Sequence, residues 1–240
     1  MRVSCSDYIG KTFKNSLGLE YEVVTIDSYY SVTVRFNTTG YTTKARLDHV
    51  KRGAVRDRYN RETFGVGYLG DITDGDRYKA LKSKWSGMMT RCYDENYHIK
   101  KPTYIGCNVS DYFQNFSNFY QWAKSQIGFD QDGWELDKDI LVRNNKTYSE
   151  DTCCFIPREI NLAIVNSTSE SGLRLCKRSG KYQVRVNKFG ISHSFGYHES
   201  KDKALGIYSN EKRKYLREIA EKWKEDIDPR VYQSLLNWKL

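Results

Sequence analysis

Residues 85–93 have the sequence WSGMMTRCY and belong to a longer segment with helical spacing. Apolar side chains recur there at intervals of three or four residues, as on one side of a helix. The stripe consists of Tyr78, Leu81, Trp85, Met88 and Cys92. We therefore predict a helix over residues 76–93 that buries this stripe in a core. Residues 115–127 repeat the pattern and predict a second helix.

Alternating patterns on either side of this segment predict β-strands. Residues 21–26 and 32–36 are rich in β-branched and aromatic residues, with turn residues after each. They predict a small antiparallel sheet or barrel within residues 1–70. The glycine-rich stretch at residues 65–70 lacks the Lys-Ser/Thr pair of a phosphate-binding loop, so we interpret it as a linker.

The last third of the chain predicts three strands followed by a helix. Residues 173–176, 182–187 and 191–195 alternate between apolar and polar, and two turns separate them. A helix is expected from about Ser200, a good N-cap residue, to Lys224. Its predicted inward face is Leu205, Tyr208, Tyr215, Ile219 and Trp223.

Composition and charge exclude several classes of protein. The chain has 240 residues, 39 Lys and Arg against 30 Asp and Glu, and 14% aromatic residues. That many rings argue against disorder, and no apolar run is long enough for a membrane span. Six cysteines without CxxC spacing or a secretory signal predict reduced thiols in a cytoplasm. The first 70 residues carry net +4, residues 71–166 net −2 and residues 167–240 net +7. Basic ends of this kind suit phosphate contacts.

The middle of the chain resembles phage HNH-type homing endonucleases. The WSGMMTRCY segment is similar to their W-x-G-M-x-x-R-C-Y helix. Residues 104–109, and then Phe116, Phe119 and Trp122, keep the family's order. Residues 136–139 and 148–153 resemble its L-D-[RH]-x-D and Y-x-P-x-N-C block. The resemblance implies a ββα-metal fold for residues 71–166.

The C-terminal segment resembles the ethylene-response-factor type of DNA-binding domain. The matching positions are Gly172-Leu173, Lys181-Tyr182, Gly196-Tyr197 and Ala204. Together these patterns predict an α+β protein of three modules: a small β-rich module at 1–70, an HNH-like region at 71–166, and a three-stranded sheet with a helix at 167–240. A phage-encoded protein of this kind would act in the cytoplasm of the bacterial host.

The HNH resemblance implies a metal-dependent site with altered residues. Asp137 keeps the acidic position, but Lys138 stands where the family has its general-base His, and Thr152 stands at an Asn position. The candidate catalytic residues are Asp137, Lys138 and His98, the last as a replacement base. The candidate ligands of a Mg²⁺ or Mn²⁺ ion are Asp137, Asp139 and Asn161. The altered positions favour a retained binding fold with degenerate catalysis.

The second resemblance implies that the three-stranded sheet lies in the major groove of DNA. Its polar face would carry the base-reading side chains, with phosphate contacts at the turns. The base-reading candidates are Arg174, Gln183, Arg185 and Asn187. The phosphate-contact candidates are Lys177, Arg178, Lys181 and Lys188.

The sequence thus predicts a phage-type protein that prefers certain duplex DNA sequences and derives from an HNH homing endonuclease. Two alternatives stay open. One is an active Mg²⁺- or Mn²⁺-dependent nickase or endonuclease. The other is a phage protein that binds a host enzyme or defence complex. RNA also stays open as a partner, since basic and aromatic surfaces serve both nucleic acids.

Overall fold

A computed structural model of the chain describes residues 5–72, 75, 77–165 and 172–239. It has the mixed α+β composition predicted from the sequence. The chain divides into two compact units: one runs to Gly75 and takes in Gln114–Asn118, and the other holds the rest. The predicted boundary between the second and third modules, at residues 166 and 167, lies outside the described residues.

The first unit contains a four-stranded antiparallel sheet. Its strands are β1 (Thr12–Lys14), β2 (Glu20–Ser28), β3 (Ser31–Phe36) and β4 (Thr42–Ala45), paired in that order, with helix α1 (Leu47–Lys51) after them. Alternate residues of β2 and β3 point inward, so that Tyr21, Val23, Val32, Val34 and Phe36 form a core with Leu47 and Val50. The strands predicted here are therefore confirmed.

The glycine-rich stretch at residues 65–70 is a packed part of the first unit, where the sequence predicted a linker. The carbonyl of Tyr68 accepts a hydrogen bond from the amide of Phe116 at 2.8 Å. Gly70 has a φ of +68°, and a Cβ there would lie 2.2 Å from the side-chain oxygen of Asn115. Glycine is required because the two segments approach each other closely.

The second unit begins with the predicted helix. This helix, α2, spans Tyr78–Tyr93 and buries Leu81, Trp85, Met88 and Cys92 as expected. The indole N–H of Trp85 donates to the carbonyl of Phe113 at 2.6 Å, which satisfies both buried groups. Short elements follow along the chain: α3 (Glu95–Lys100), β5 (Asn108–Val109), α4 (Asp111–Gln114) and α5 (Phe116–Lys124), the last within the second predicted helix. The end of α4 and the start of α5 belong to the first unit.

The next elements form a strand pair followed by a helix. Strand β6 (Trp134–Asp137) pairs antiparallel with β8 (Cys154–Pro157), and helix α6 (Arg158–Val165) follows β8 directly. The loop between the two strands contains β7 (Thr147–Tyr148), which pairs in parallel with β5. All four residues of β8 are buried.

The C-terminal elements match the predicted three strands and helix. Strands β9 (Leu173–Leu175), β10 (Tyr182–Lys188) and β11 (Ile191–His198) form an antiparallel sheet with β10 in the centre. Helix α7 (Lys201–Trp223) packs on one face of this sheet, and α8 (Pro229–Leu236) follows. The hydroxyl of Ser200 accepts from the amide of Lys203 at 3.3 Å, which confirms the predicted cap.

The buried face of α7 differs in part from the predicted one. Leu205 and Trp223 are only half-buried, whereas four residues outside the prediction are buried: Ala204, Lys212, Leu216 and Ala220. None of the helices among the described residues has the length and apolar content of a membrane-spanning segment.

Candidate functional site

A cavity of about 380 Å³ is lined by α2, by the end of β6 and by α6. It brings together four of the residues predicted from the HNH resemblance: Asp137, Lys138, Asp139 and Asn161. These residues are up to 24 positions apart in sequence, and the strand–strand–helix order of β6, β8 and α6 places them on one cavity.

Asp137 is held at the start of the loop that follows β6. Its Oδ1 atom accepts hydrogen bonds from the backbone amides of Asp139, at 2.8 Å, and Ile140, at 2.7 Å. Burial nevertheless raises the pKa of the Asp137 carboxyl, because the low-dielectric surroundings disfavour its charge. One oxygen of this carboxylate is therefore committed to shaping the loop.

The Lys138 ammonium is fully engaged by its surroundings. It donates to both oxygens of Asp139 at 2.7 Å and to the carbonyl of Asn145 at 2.6 Å. Only 6% of the residue is exposed, and the ring of Tyr148 lies 5.7 Å away. Because an ammonium has three N–H donors and no lone pair, three acceptors leave nothing with which to activate a water. Lys138 therefore closes the loop and is not positioned as a general base.

Asn161 points into the cavity from α6 and contacts Glu135. Its amide N–H donates to the Glu135 carboxylate, whose other oxygen lies 3.9 Å from the guanidinium of Arg158. Sequence reasoning missed Glu135. The signal was available, since residues two apart on a strand share a face and Glu135 precedes Asp137 by two.

Two basic side chains of α2, Lys84 and Arg91, also line the cavity. Lys84 donates to the carbonyl of Trp134, and burial lowers the pKa of its ammonium. Arg91 donates to the Tyr148 hydroxyl at 3.0 Å, and burial raises the pKa of that phenol. Residues 84, 87 and 91 are three and four apart, so helical spacing could have identified this second stripe.

Two of the three predicted metal ligands are engaged by other side chains. Mg²⁺ and Mn²⁺ are bound mainly by carboxylate, carbonyl and water oxygens. Here Asp139 pairs with Lys138, and Asn161 turns its N–H toward Glu135. Within the described ranges, no three His, Cys, Asp or Glu side chains converge as a ligand set.

His98, the predicted replacement base, lies on α3 and does not line this cavity. Its Nε2 atom is 2.9 Å from the carbonyl of Arg91, a contact typical of a structural histidine. The structure thus brings Asp137, Lys138, Asp139 and Asn161 together but not His98.

The outer face of the C-terminal sheet carries the predicted DNA-contacting side chains. Arg174 pairs in register with Gln183, and Gln183 with Tyr197. Arg185 and Asn187 continue the same face opposite Ser194 and Ser192. The intervening Val184 and Val186 are buried against α7, so the predicted alternation is observed.

Three of the four base-reading candidates, Arg174, Arg185 and Asn187, are exposed. Gln183 is 8% exposed. With its amide oxygen facing these donors, it accepts from Arg185 Nε at 3.3 Å and from the Tyr197 hydroxyl at 3.2 Å. A register irregularity between residues 183 and 185 accompanies this packing. Gln183 therefore supports Arg185 from below, and the sequence pattern had not indicated Tyr197.

The four predicted phosphate contacts are not equally available. Lys177 and Arg178 are exposed in the turn between β9 and β10. Lys181 pairs with Glu199 at 3.2 Å, and Lys188 pairs with Glu218 at the same distance. The Lys188 side chain is only 15% exposed, so it is the least accessible of the four.

Two arrangements thus emerge from the second unit: a mixed-charge cavity at the end of β6 and an exposed cationic sheet face. The cavity is bordered by a charged loop, and the hydrogen bonds of Asp137 and Lys138 fix the shape of that loop. The sheet face can offer guanidinium and amide groups to the edges of bases, the groups that pair with guanine and adenine. Comparison of the chain with protein-family models, with curated proteins and with solved structures finds no match.

Proposed function

We propose that the protein binds duplex DNA with a sequence preference, through the outer face of the β9–β11 sheet. The observation that carries this proposal is the division of that sheet into two faces. One face packs on α7, and the other presents Arg174, Arg185 and Asn187 to solvent. The exposed Lys177 and Arg178 stand at its end. The net charge of +7 over residues 167–240 supports attraction to a polyanion.

The width of the major groove of DNA is compatible with a docked β-sheet. The major groove admits a β-ribbon or an α-helix, and β-sheet readers place strands in a groove. Arginine pairs with guanine through two parallel hydrogen bonds, and asparagine pairs with adenine in the same way. The Gln183 amide oxygen accepts from the Arg185 guanidinium and from the Tyr197 hydroxyl, which orients Arg185 and lowers the entropy lost when it meets a base.

We also propose that the middle region derives from an HNH homing endonuclease and has lost catalysis. The strand–strand–helix order of β6, β8 and α6, with Asp137 at the end of β6 and Asn161 on α6, supports this relation. The engaged ammonium of Lys138 supports the loss of catalysis. The basic side chains Lys84 and Arg91 would then lie near the phosphates of the DNA backbone.

Affinity for duplex DNA is expected to fall steeply as salt is added. Each neutralised phosphate contributes roughly 0.9 to the slope of log affinity against log salt, because it releases condensed counterions. Fluorescence anisotropy with a labelled random duplex, measured across a salt series, gives this slope. A parallel series with single-stranded RNA tests the other nucleic acid. If the protein bound no duplex at low salt, the proposed function would be wrong.

Arg185→Ala is expected to relax the sequence preference, whereas Arg178→Ala weakens binding to all sequences alike. The first change removes a group proposed to read a base edge, worth about 1–3 kcal/mol at that position. The second removes an exposed cationic side chain of the turn, which would contact only the phosphate backbone of the DNA. Selection from a randomised duplex library, followed by sequencing, separates the two effects. Identical profiles for both variants would contradict groove reading by this sheet.

A further inference from the structure

Lys212 occupies a position on the buried face of α7, where an apolar residue is expected. Only 4% of the residue is exposed. It lies between Tyr208 and Tyr215, both buried, at spacings of four and three residues along the same face. Lysine is almost never fully buried unless it is paired, so its surroundings require an explanation.

Lys212 has no anionic partner among the described residues. Its Nζ atom lies 5.5 Å from the centre of the Tyr215 ring. Burial lowers the pKa of the Lys212 ammonium to about 8. The ammonium group thus lies in a place that costs free energy, with no counter-ion in the part of the chain that the structure describes.

The Lys212 side chain lines a cleft of about 280 Å³ at the edge of the C-terminal sheet. Within the described residues, β9 pairs with residues 182–184 of β10, and the amide of Arg185 donates to the carbonyl of Gly172 at 2.8 Å beside the cleft. Gly172 forms part of the wall, and a Cβ there would lie 2.1 Å from the ring of Tyr208 and 2.4 Å from the carbonyl of Arg185.

The groups that line this cleft define the chemistry of its ligand. They include three cationic side chains, Arg174, Arg185 and Lys212, and two neutral hydrogen-bonding side chains, Asn187 and Ser192. Among the described residues that line the cleft there is no carboxylate. A small oxyanion with several acceptor atoms matches this set, because guanidinium groups bind such anions through paired hydrogen bonds.

We propose that this cleft binds a phosphate group, with Lys212 as its innermost ligand and with Arg174 and Arg185 contributing positive potential at its mouth while their guanidinium groups remain available to the bases. A phosphate presents enough acceptor oxygens to engage several cations at once, whereas a single carboxylate presents two. Two sources carry this chemistry. One is a phosphate of the DNA backbone, in which case the inference rests on the proposed function. The other is a free phosphorylated small molecule, which the apolar side chains Leu173 and Val186 would flank.

Inorganic phosphate is the probe for the cleft itself. The thermal midpoint of the full chain is measured as sodium phosphate replaces sodium chloride at equal ionic strength. We expect phosphate to raise the midpoint of the wild type and of Lys214→Met, but not of Lys212→Met. Lys214 is the matched control, because it lies on the exposed side of the same helix and pairs with Glu211. Ser192→Ala changes an exposed residue of the cleft and is expected to reduce the phosphate effect without disturbing the fold.

A labelled duplex identifies the source of the phosphate. If the cleft takes a backbone phosphate, Lys212→Met weakens duplex binding roughly tenfold or more and lowers the salt slope by about one. If it takes a free ligand, duplex binding is unchanged while the phosphate effect is lost. The proposal is overturned if phosphate protects neither protein, or protects the wild type and Lys212→Met equally. Failure of the wild type to bind any duplex would refute the proposed function alone, since the phosphate series still decides the cleft.

Discussion

Lys212→Met is expected to stabilise the protein at pH 7 by about 1–2 kcal/mol, because water in the cleft screens part of the cost of burying the ammonium. Burial depresses the pKa of this ammonium from 10.5 to about 8, and each unit of such a difference corresponds to about 1.4 kcal/mol. At pH 7 the wild type carries this positive charge in a largely buried position, and none of the residues that the structure describes supplies a counter-ion. Methionine has a similar length and no charge, so it fills the same space among the aromatic side chains of α7 without this cost.

The free energy of unfolding should change with pH in a direction that follows from the lowered pKa of Lys212. Between about pH 8 and 10.5 the unfolded state of the wild type holds the proton of Lys212 and the folded state has released it. The free energy of unfolding therefore rises with pH in this window and is lowest below pH 8. Lys212→Met lacks this contribution, so the difference between the two proteins should shrink toward zero as pH approaches 10.5.

Denaturant unfolding at pH 7 and at pH 10 measures both quantities. Comparing the two proteins at each pH cancels the titration of other groups. Lys214→Met serves again as the control, because its ammonium is exposed and its removal should change stability by less than about 1 kcal/mol. A Lys212→Met variant that is less stable than the wild type at pH 7 would show that the ammonium has a partner that stabilises the fold.

The buried position of Lys212 was not predicted from the sequence. The predicted inward face of α7 contained Tyr208, Tyr215 and Ile219, and position 212 falls in the same series of spacings of three and four. An apolar pattern does not include a lysine, because charged residues are rarely buried. Regular elements with repeated patterns were predicted well, among them α2, β10 and the Ser200 cap. The periodicity of apolar residues predicts where a helix or strand lies, but it does not predict a charged residue at a buried position.

The cavity at the end of β6 shows a second limit. The resemblance grouped Asp137, Lys138 and Asn161, and they do line one cavity. Their hydrogen-bond partners were not predictable, because these come from elements distant in sequence or from an irregular loop. The carbonyl of Asn145, which accepts from Lys138, belongs to the loop between β6 and β8, where no periodic pattern fixes the backbone. The residue types of the motif therefore indicated where the cavity lies. The hydrogen bonds around each side chain determine which chemistry that side chain can perform.

Supercoiled plasmid is expected to stay uncut when the protein is added with Mg²⁺ or Mn²⁺. A positioned general base contributes roughly a hundred- to ten-thousandfold to hydrolysis, and the residue at that position here donates all three of its N–H groups to Asp139 and Asn145. Agarose gels over a time course, with each metal and with a chelator, measure nicked and linear products.

Asp137→Ala separates a real activity of this site from a contaminating nuclease. Metal-dependent nicking by the wild type that disappears in this variant would mean that the cavity still cuts DNA, and that the alternative of an active nickase is correct. Nicking that persists in Asp137→Ala would come from elsewhere. Lys138→Ala adds an independent check, because it frees Asp139 from its ion pair. If Lys138 only closes the loop, the Ala variant loses stability and gains no cleavage. If instead the ammonium had been neutralising a carboxylate needed for a cation, Lys138→Ala would acquire metal-dependent nicking, and the ion pair would be the feature that keeps the site silent.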